Sequence, residues 1–301
     1  MAAYLQKSGH RIVLGSRQNY APPAWLPQAE VRQIAWDNEA SLTAACQAID
    51  VVIHAAGMDA ADCVADPAGA FEMNHMATSR LVRSASDNGV GRFVLLSTAH
   101  VYSSRLEGVI TEATVPTNTH PYAASNLAGE RAVLEGGGDH GMRGLVVRLS
   151  NSFGVPAHHG TKCGVLVVND LCCQAATNGR MVLRTTGTQR RDFIAMSDAI
   201  EVISQLAELP DARLFEQIFN LGGGWAPTIW EMVQIIQKRC QHILGFVPEI
   251  ERQEPGVEDE SPFLDFHTDA LRRAGISIPR RHIEEIDLLL DYYRASANCY
   301  E

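Results

Sequence analysis

The chain has 301 residues, 46% of them hydrophobic, which is enough to bury a full core as one large or two modest domains. Its formal charge of −10 disfavours a broad docking face for DNA or another polyanion and points to a small anionic ligand, which a local arginine cluster can still grip. No stretch approaches the roughly 20 apolar residues of a membrane span, and the opening "MAAYLQKSGHRIVLGSR" has no continuous apolar region ahead of a cleavage site, so a cytoplasmic chain is expected.

In chain order, "MAAYLQKSGH" reads as a short helix anchored by Leu5 and ended by Ser8-Gly9. "RIVLGSR" (11–17) follows as a strand, and "VVIHAAG" (51–57), "RFVLLST" (92–98) and "GLVVRLSN" (144–151) repeat its character. Each is rich in β-branched residues and ends in small or polar ones, as strands buried on both faces of a parallel sheet do. Helical patterns separate them over 66–89, closed by Gly89, and over 120–138, closed by three glycines. This alternation predicts a doubly wound α/β fold whose ligands sit in the crevice beyond the strand ends. After about residue 155 the rhythm loosens into a loop, a helix over 164–178, "RMVLRTTGTQRRDFIAM" and the Pro/Glu-rich "VPEIERQEPGVEDESP". The expected organisation is a sheet domain over 1–155 and a smaller, mainly substrate-binding subdomain over 156–301, with some segments returning to the sheet.

The seven cysteines are scattered and lack CxxC spacing, so neither a zinc knuckle nor a disulfide framework is indicated. Cys172 and Cys173, adjacent on a helix, point apart and read as packing residues. "HHGTKC", with His158, His159 and Cys163, is the one cluster of metal-donor types, and it reads as a surface loop; no metal is expected.

A doubly wound sheet that holds a dinucleotide opens with a strand and a glycine-rich turn, whose amides and helix dipole hold the pyrophosphate. Residues 1–10 already read as the helix after such a turn, and 11–17 as the second strand. The first strand and glycine turn are therefore expected upstream of Met1, either lost from the protein or ahead of a start placed too late.

Seven collinear segments carry a family likeness: "VVIHAAG", "FEMNHMATSRLVRSA", "RFVLLSTAHVYS", "ITEATVPTNTHPYAASNLAGE", "VVRLSNSFG", "TQRRDFIAMSDAIEVI" and "FNLGGGWAPTIWEMVQII". Together the chain resembles the extended short-chain dehydrogenase/reductases, in particular the NAD(P)-dependent epimerases and dehydratases of nucleotide sugars. The resemblance implies a Rossmann-like dinucleotide-binding domain over 1–155. It sets Asp37 toward the adenine, Ala55, Ala56 and Gly57 against the cofactor ribose, and Asn74 as a residue ordering that region. Where an acidic residue selects NAD, this chain has Ser16 followed by Arg17, which suits the 2′-phosphate of NADP. On the substrate side Asn151 resembles the residue that contacts the sugar nucleotide. Arg191 resembles the arginine that grips its diphosphate, a role fitted to a planar guanidinium.

The resemblance also assigns the catalytic positions: Tyr122 takes a proton from the sugar hydroxyl, Thr98 holds the reacting oxygen, and Asn126 stands where the family has a lysine. An amide four residues after Tyr122 shares its helix face and can keep the lysine's hydrogen bond to the cofactor ribose, but not its charge. Without that cation about one phenol in a thousand is ionised at pH 7, a deficit of roughly 4 kcal/mol. The only lysines are Lys7, Lys162 and Lys238, none of them in a matched catalytic segment. Dehydratases carry an Asp-Glu pair after the threonine; here Ala99 and His100 stand there, so dehydration is not expected, and a histidine at a strand end reads first as structural. What remains is an epimerase or reductase of a nucleotide sugar, impaired at Asn126, or a non-catalytic nucleotide- or partner-binding member of the same fold. The resemblance further implies a homodimer paired through the helices over 66–88 and 120–136.

Overall fold

The computed structural model describes residues 1–136, 141–157, 166–253 and 262–297. The "HHGTKC" loop, with His158, His159, Lys162 and Cys163, lies outside them.

Helix α1 (Ala2–Lys7) leads into the strands β1 (Val13–Ser16) and β2 (Glu30–Gln33). Helix α2 (Glu39–Cys46), capped by the Asn38 carboxamide accepting the Ser41 N–H, returns the chain to β3 (Val51–His54). Helices α3 (Ala60–Ala65), α4 (Pro67–Phe71) and α5 (Thr78–Asp87) precede β4 (Arg92–Thr98). Strand β5 (Gly108–Ile110) and helix α6 (Pro121–Glu135) come before β6 (Arg143–Leu149) and β7 (Asn151–Phe153). The remainder runs α7 (Val167–Asn178), β8 (Arg180–Leu183), β9 (Phe193–Ala195), α8 (Met196–Glu208), β10 (Ile218–Leu221), α9 (Ile229–Ile243), β11 (Glu249–Arg252), β12 (Leu264–Phe266), α10 (Asp269–Arg273) and α11 (His282–Ala297).

The strands β3, β4, β6 and β10 form one parallel sheet in the order β10-β6-β4-β3. Side chains alternate across a strand, and here both faces are covered. Phe93, Leu95 and Val146 pack with Leu81 and Val82 of α5 and Val133 of α6. Val94, Leu145 and Val147 pack on the opposite face with Val202, Ile203 and Leu206 of α8 and Leu271 of α10. The buried Arg92 closes the C-terminal end of α8 by donating to the Leu206 and Ala207 carbonyls at 3.0 and 2.8 Å, groups a helix end otherwise leaves without partners. A second core joins Leu171 of α7, Met232 of α9 and Leu289 of α11 to Phe153 and Phe193.

Three expectations are corrected. The strand expected over 144–151 is two: β6 ends at Leu149, and β7 starts at Asn151 and pairs with β9. The helix expected over 66–89 is not uniform, because a π-helical turn at Glu72–Ala77 separates α4 from α5. The sheet is also not continuous: β1 pairs only with β2, and β3 only with β4, among the described residues. A cavity of about 530 Å³, lined by Leu5, Val13, Leu14, Ile34, Val52 and Ile53 among others, lies between the two parts. The apolar side chains of β3 are consequently only half-buried, whereas Phe93, Val94 and Leu95 of β4 are buried.

Candidate active site

Tyr122 sits in the first turn of α6. Pro121 starts that helix with its ring already set to helical φ, and the His120 ring nitrogen Nδ1 accepts the Tyr122 N–H at 3.3 Å. Thr98 closes β4, and its hydroxyl accepts the His100 N–H at 3.1 Å, turning the chain into a short 3₁₀ helix, Ala99–Val101. The two hydroxyl side chains meet at one cavity of about 270 Å³, which Asn151 and Arg191 also line. Burial pushes the Tyr122 phenol above its usual range; a hydrogen bond with Thr98 pulls it back, while Cys63 and Asp59 push it further up. None of these neighbours is a cation.

Asn126 does not line this cavity. Its Nδ2 is donated to the Tyr122 carbonyl at 2.7 Å, so the amide is turned onto its own helix. Of the lysines, Lys7 ends α1 and Lys238 lies in α9, and neither borders the cavity. His100 does border it, which sequence reasoning undervalued. Burial first, then Arg191 and His120, hold its imidazole below the ordinary histidine range.

Asn151 is held by its Nδ2 donating to the Asp192 carbonyl at 3.0 Å. Arg191 donates Nη2 and Nε to the neutral Gln189 Oε1 at 3.1 and 3.4 Å, and no carboxylate pairs with it among the described residues. An uncompensated guanidinium at a cavity wall is a site for an anion.

The residues expected to face the cofactor are less concentrated. Ala55 and Ala56, just past β3, border the larger cavity, while Ser16, Arg17, Asp37 and Gly57 border neither. The Ser16 hydroxyl accepts the Gln18 N–H at 3.1 Å, and Arg17 and Asp37 are exposed. Asn74 is buried on the π-helical turn, which rotates it inward: its Oδ1 accepts the Met58 N–H at 2.8 Å and its Nδ2 donates to Ser125 Oγ at 3.0 Å. A Cβ on Gly57 would stand 2.9 Å from Asn74 Oδ1, and one on Gly129 of α6 would stand 2.4 Å from the Asn74 carbonyl oxygen. Bare backbone at both points lets the strand-end loop and α6 close on Asn74.

Tyr122 and Thr98 on the smaller cavity offer two hydroxyls suited to a proton transfer beside a nicotinamide, while at Gly57 the missing side chain makes room for Asn74. The His158, His159, Cys163 cluster lies outside the described residues, and no group of three or more metal-donor side chains occurs within them.

Over 193 residues the chain is 31% identical to a dTDP-glucose 4,6-dehydratase of Streptomyces niveus, a match covering 64% of this chain and 55% of that protein. It is 27% identical over 214 residues to a GDP-6-deoxy-D-mannose reductase of Pseudomonas aeruginosa, covering 66% of each. The matched part spans little more than half the length, 53–58%, of the first curated relatives. Among solved structures, MoeE5 in complex with UDP-glucose and NAD superposes with a TM-score of 0.76 at 23% identity, covering 97% of this chain and 93% of that one, which shows the shared Rossmann-like α/β fold. The pattern of the "NAD dependent epimerase/dehydratase family" matches residues 1–222, which include Thr98, Tyr122, Asn151 and Arg191 of the site just described, and the chain belongs to that family.

Proposed function

We propose that the chain is an NAD(P)-dependent epimerase or reductase of a nucleotide sugar, slowed by Asn126. The observation that carries this reading is the convergence of Tyr122, Thr98, Asn151 and Arg191 on one cavity. Arg191 binds the diphosphate of the substrate and Asn151 orients the sugar nucleotide. Thr98 holds the reacting hydroxyl, and Tyr122 exchanges the proton at that oxygen. The nicotinamide cofactor, when bound, supplies hydride transfer. Ala55, Ala56 and Gly57 receive its ribose against Asn74, Asp37 faces the adenine, and Ser16 with Arg17 favours the 2′-phosphate of NADP.

The chain's own deficit lies at the proton step. A phenol raised by burial, with an amide in the place of a cation, is a poor base at pH 7. The same observation favours a second reading, a non-catalytic member of the fold that binds a nucleotide or a partner. Titration of the purified protein with NADPH and NAD, followed by assay with UDP-glucose, separates the two. Cofactor binding with turnover supports the enzyme; binding without turnover, unrelieved by Asn126→Lys, supports the second reading; a folded protein that binds neither cofactor overturns the redox assignment. On this reading residues 156–301 form a mainly substrate-selecting subdomain, with some segments, such as β10, returning to the sheet. A homodimer through α4, α5 and α6 would cover the exposed Phe71 and Met76, and among the described residues no helix is long and apolar enough to cross a membrane.

A further inference from the structure

A charged cluster that the reading above does not use lies directly behind the Tyr122–Thr98 pair. Glu130, two helical turns after Tyr122 on α6, is 1% exposed, and Arg148 of β6 is 3% exposed. Arg148 donates Nη2 to Glu130 Oε2 at 2.6 Å, and its Nε lies 3.1 and 3.2 Å from the two carboxylate oxygens. Ser97 of β4 donates its hydroxyl to Glu130 Oε1 at 2.5 Å. One carboxylate thus ties the tyrosine helix to two neighbouring strands, at the residue before Thr98 and three residues before Asn151. The guanidinium of Arg148 also lies 4.8 Å from the centroid of the Tyr102 ring, whose hydroxyl donates to Asn220 Oδ1 at 2.6 Å. The arginine therefore has little freedom to follow the helix if the helix shifts.

Burying two opposite charges costs several kcal/mol per ion, and well-packed apolar residues of similar volume would hold a helix on a sheet at least as firmly. What the ion pair adds is direction, because a forked guanidinium and a hydroxyl together define the orientation of one carboxylate. Between Tyr122 and Glu130 the helix has a further polar tie to its neighbours, from Asn74 to Ser125 Oγ. That bond leaves rotation about the tie open. We propose that Glu130 is a positioning residue: by clamping α6 to Ser97 and Arg148 it sets the spacing of Tyr122 from Thr98. The proposal rests on the reading of those two residues as the acting pair, but its test does not depend on turnover.

The protein labelled with 3-fluorotyrosine gives a Tyr122 resonance, assigned by its loss in Tyr122→Phe. Thr98→Val moves this resonance in the otherwise native protein, because it removes the hydroxyl that contacts the phenol. In Glu130→Gln, and in the double variant Glu130→Leu/Arg148→Met, the same Thr98→Val change is expected to move it by about half as much or less. Ser97→Ala, which removes one bond to Glu130, is expected to give an intermediate value. The double variant, with its charges replaced by apolar groups, keeps the comparison open should Glu130→Gln fail to fold. A folded double variant in which Thr98→Val moves the Tyr122 resonance as far as in the native background overturns the proposal. Loss of NADPH binding in the native protein would sink the functional reading and leave this measurement intact.

Discussion

The two parts of the sheet are built from equally apolar strands and end up unlike each other. In β4, Phe93, Val94 and Leu95 are buried between two helical layers, and the strand has neighbours on both edges. In β3 the equivalent Val51, Val52 and Ile53 are half-buried and one edge faces the cavity that separates it from β1. Burial in a parallel sheet is thus a property of the neighbours, not of the strand's composition. The comparison also separates the residues of the proposed site: Thr98 closes the packed strand β4, whereas Ala55 and Ala56 follow β3, whose free edge faces the larger cavity.

The largest effect that tests this contrast is a truncation in each part. Phe93→Ala is expected to cost about 3–5 kcal/mol in chemical denaturation, and Val52→Ala less than about 1 kcal/mol; equal costs would mean that the edge of β3 is covered in solution.

Next come two opposed pH dependences of about 3 kcal/mol each. His54 at the end of β3 hydrogen-bonds Thr78 Oγ1 at 3.0 Å, and burial pulls it down to about 4. It is neutral in the folded state, so its contribution is complete above pH 6.5 and is lost as pH falls toward 4. Burial pushes the Asp192 carboxyl, beside Asn151, up to about 6, although the Gly223 and Trp225 amides donate to it. Its folded pKa is raised, so stability falls as pH rises from about 4 to 6. The two slopes nearly cancel in the native protein, so denaturation midpoints should rise as pH falls from 6.5 to 4 in His54→Gln and should fall over the same range in Asp192→Asn.

At the site itself, Asn126→Lys is expected to raise any turnover by about ten- to a hundredfold and to shift the rate profile toward lower pH. A rate unchanged while NADPH is bound would place the deficit elsewhere. The smallest effect is on the exposed cofactor edge, where Arg17→Ala should weaken NADPH by up to about fivefold and leave NADH unchanged. Equal loss for both would remove the 2′-phosphate assignment.

Much of the site could be read in the chain before folding. "RFVLLST" announces a buried strand by its composition and places Thr98 at its end, and "HPYAASNLAGE" announces a helix start with Tyr122 in its first turn. Apolar periodicity is local, and the ends of local elements can be located from it. The ion pair of Glu130 and Arg148 was not readable, because the two lie 18 positions apart and a charged residue in a helix reads as solvated. The π-helical turn that points Asn74 inward was hidden for a related reason: its sequence is an ordinary helical pattern, and only the contacts with Met58 and Ser125 reveal the extra residue in the turn.

The amino-acid sequence by itself determined the alternation of strands and helices, the family, and the absence of a cation four residues after Tyr122, since these depend on residue identity and near-neighbour spacing. Tertiary structure alone decided that Asn126 turns onto the Tyr122 carbonyl, that His100 joins the wall of the smaller cavity, and that β1 and β3 stand apart. Each of these depends on which distant segments come within hydrogen-bonding or packing distance, and that is fixed only when the layers close on one another.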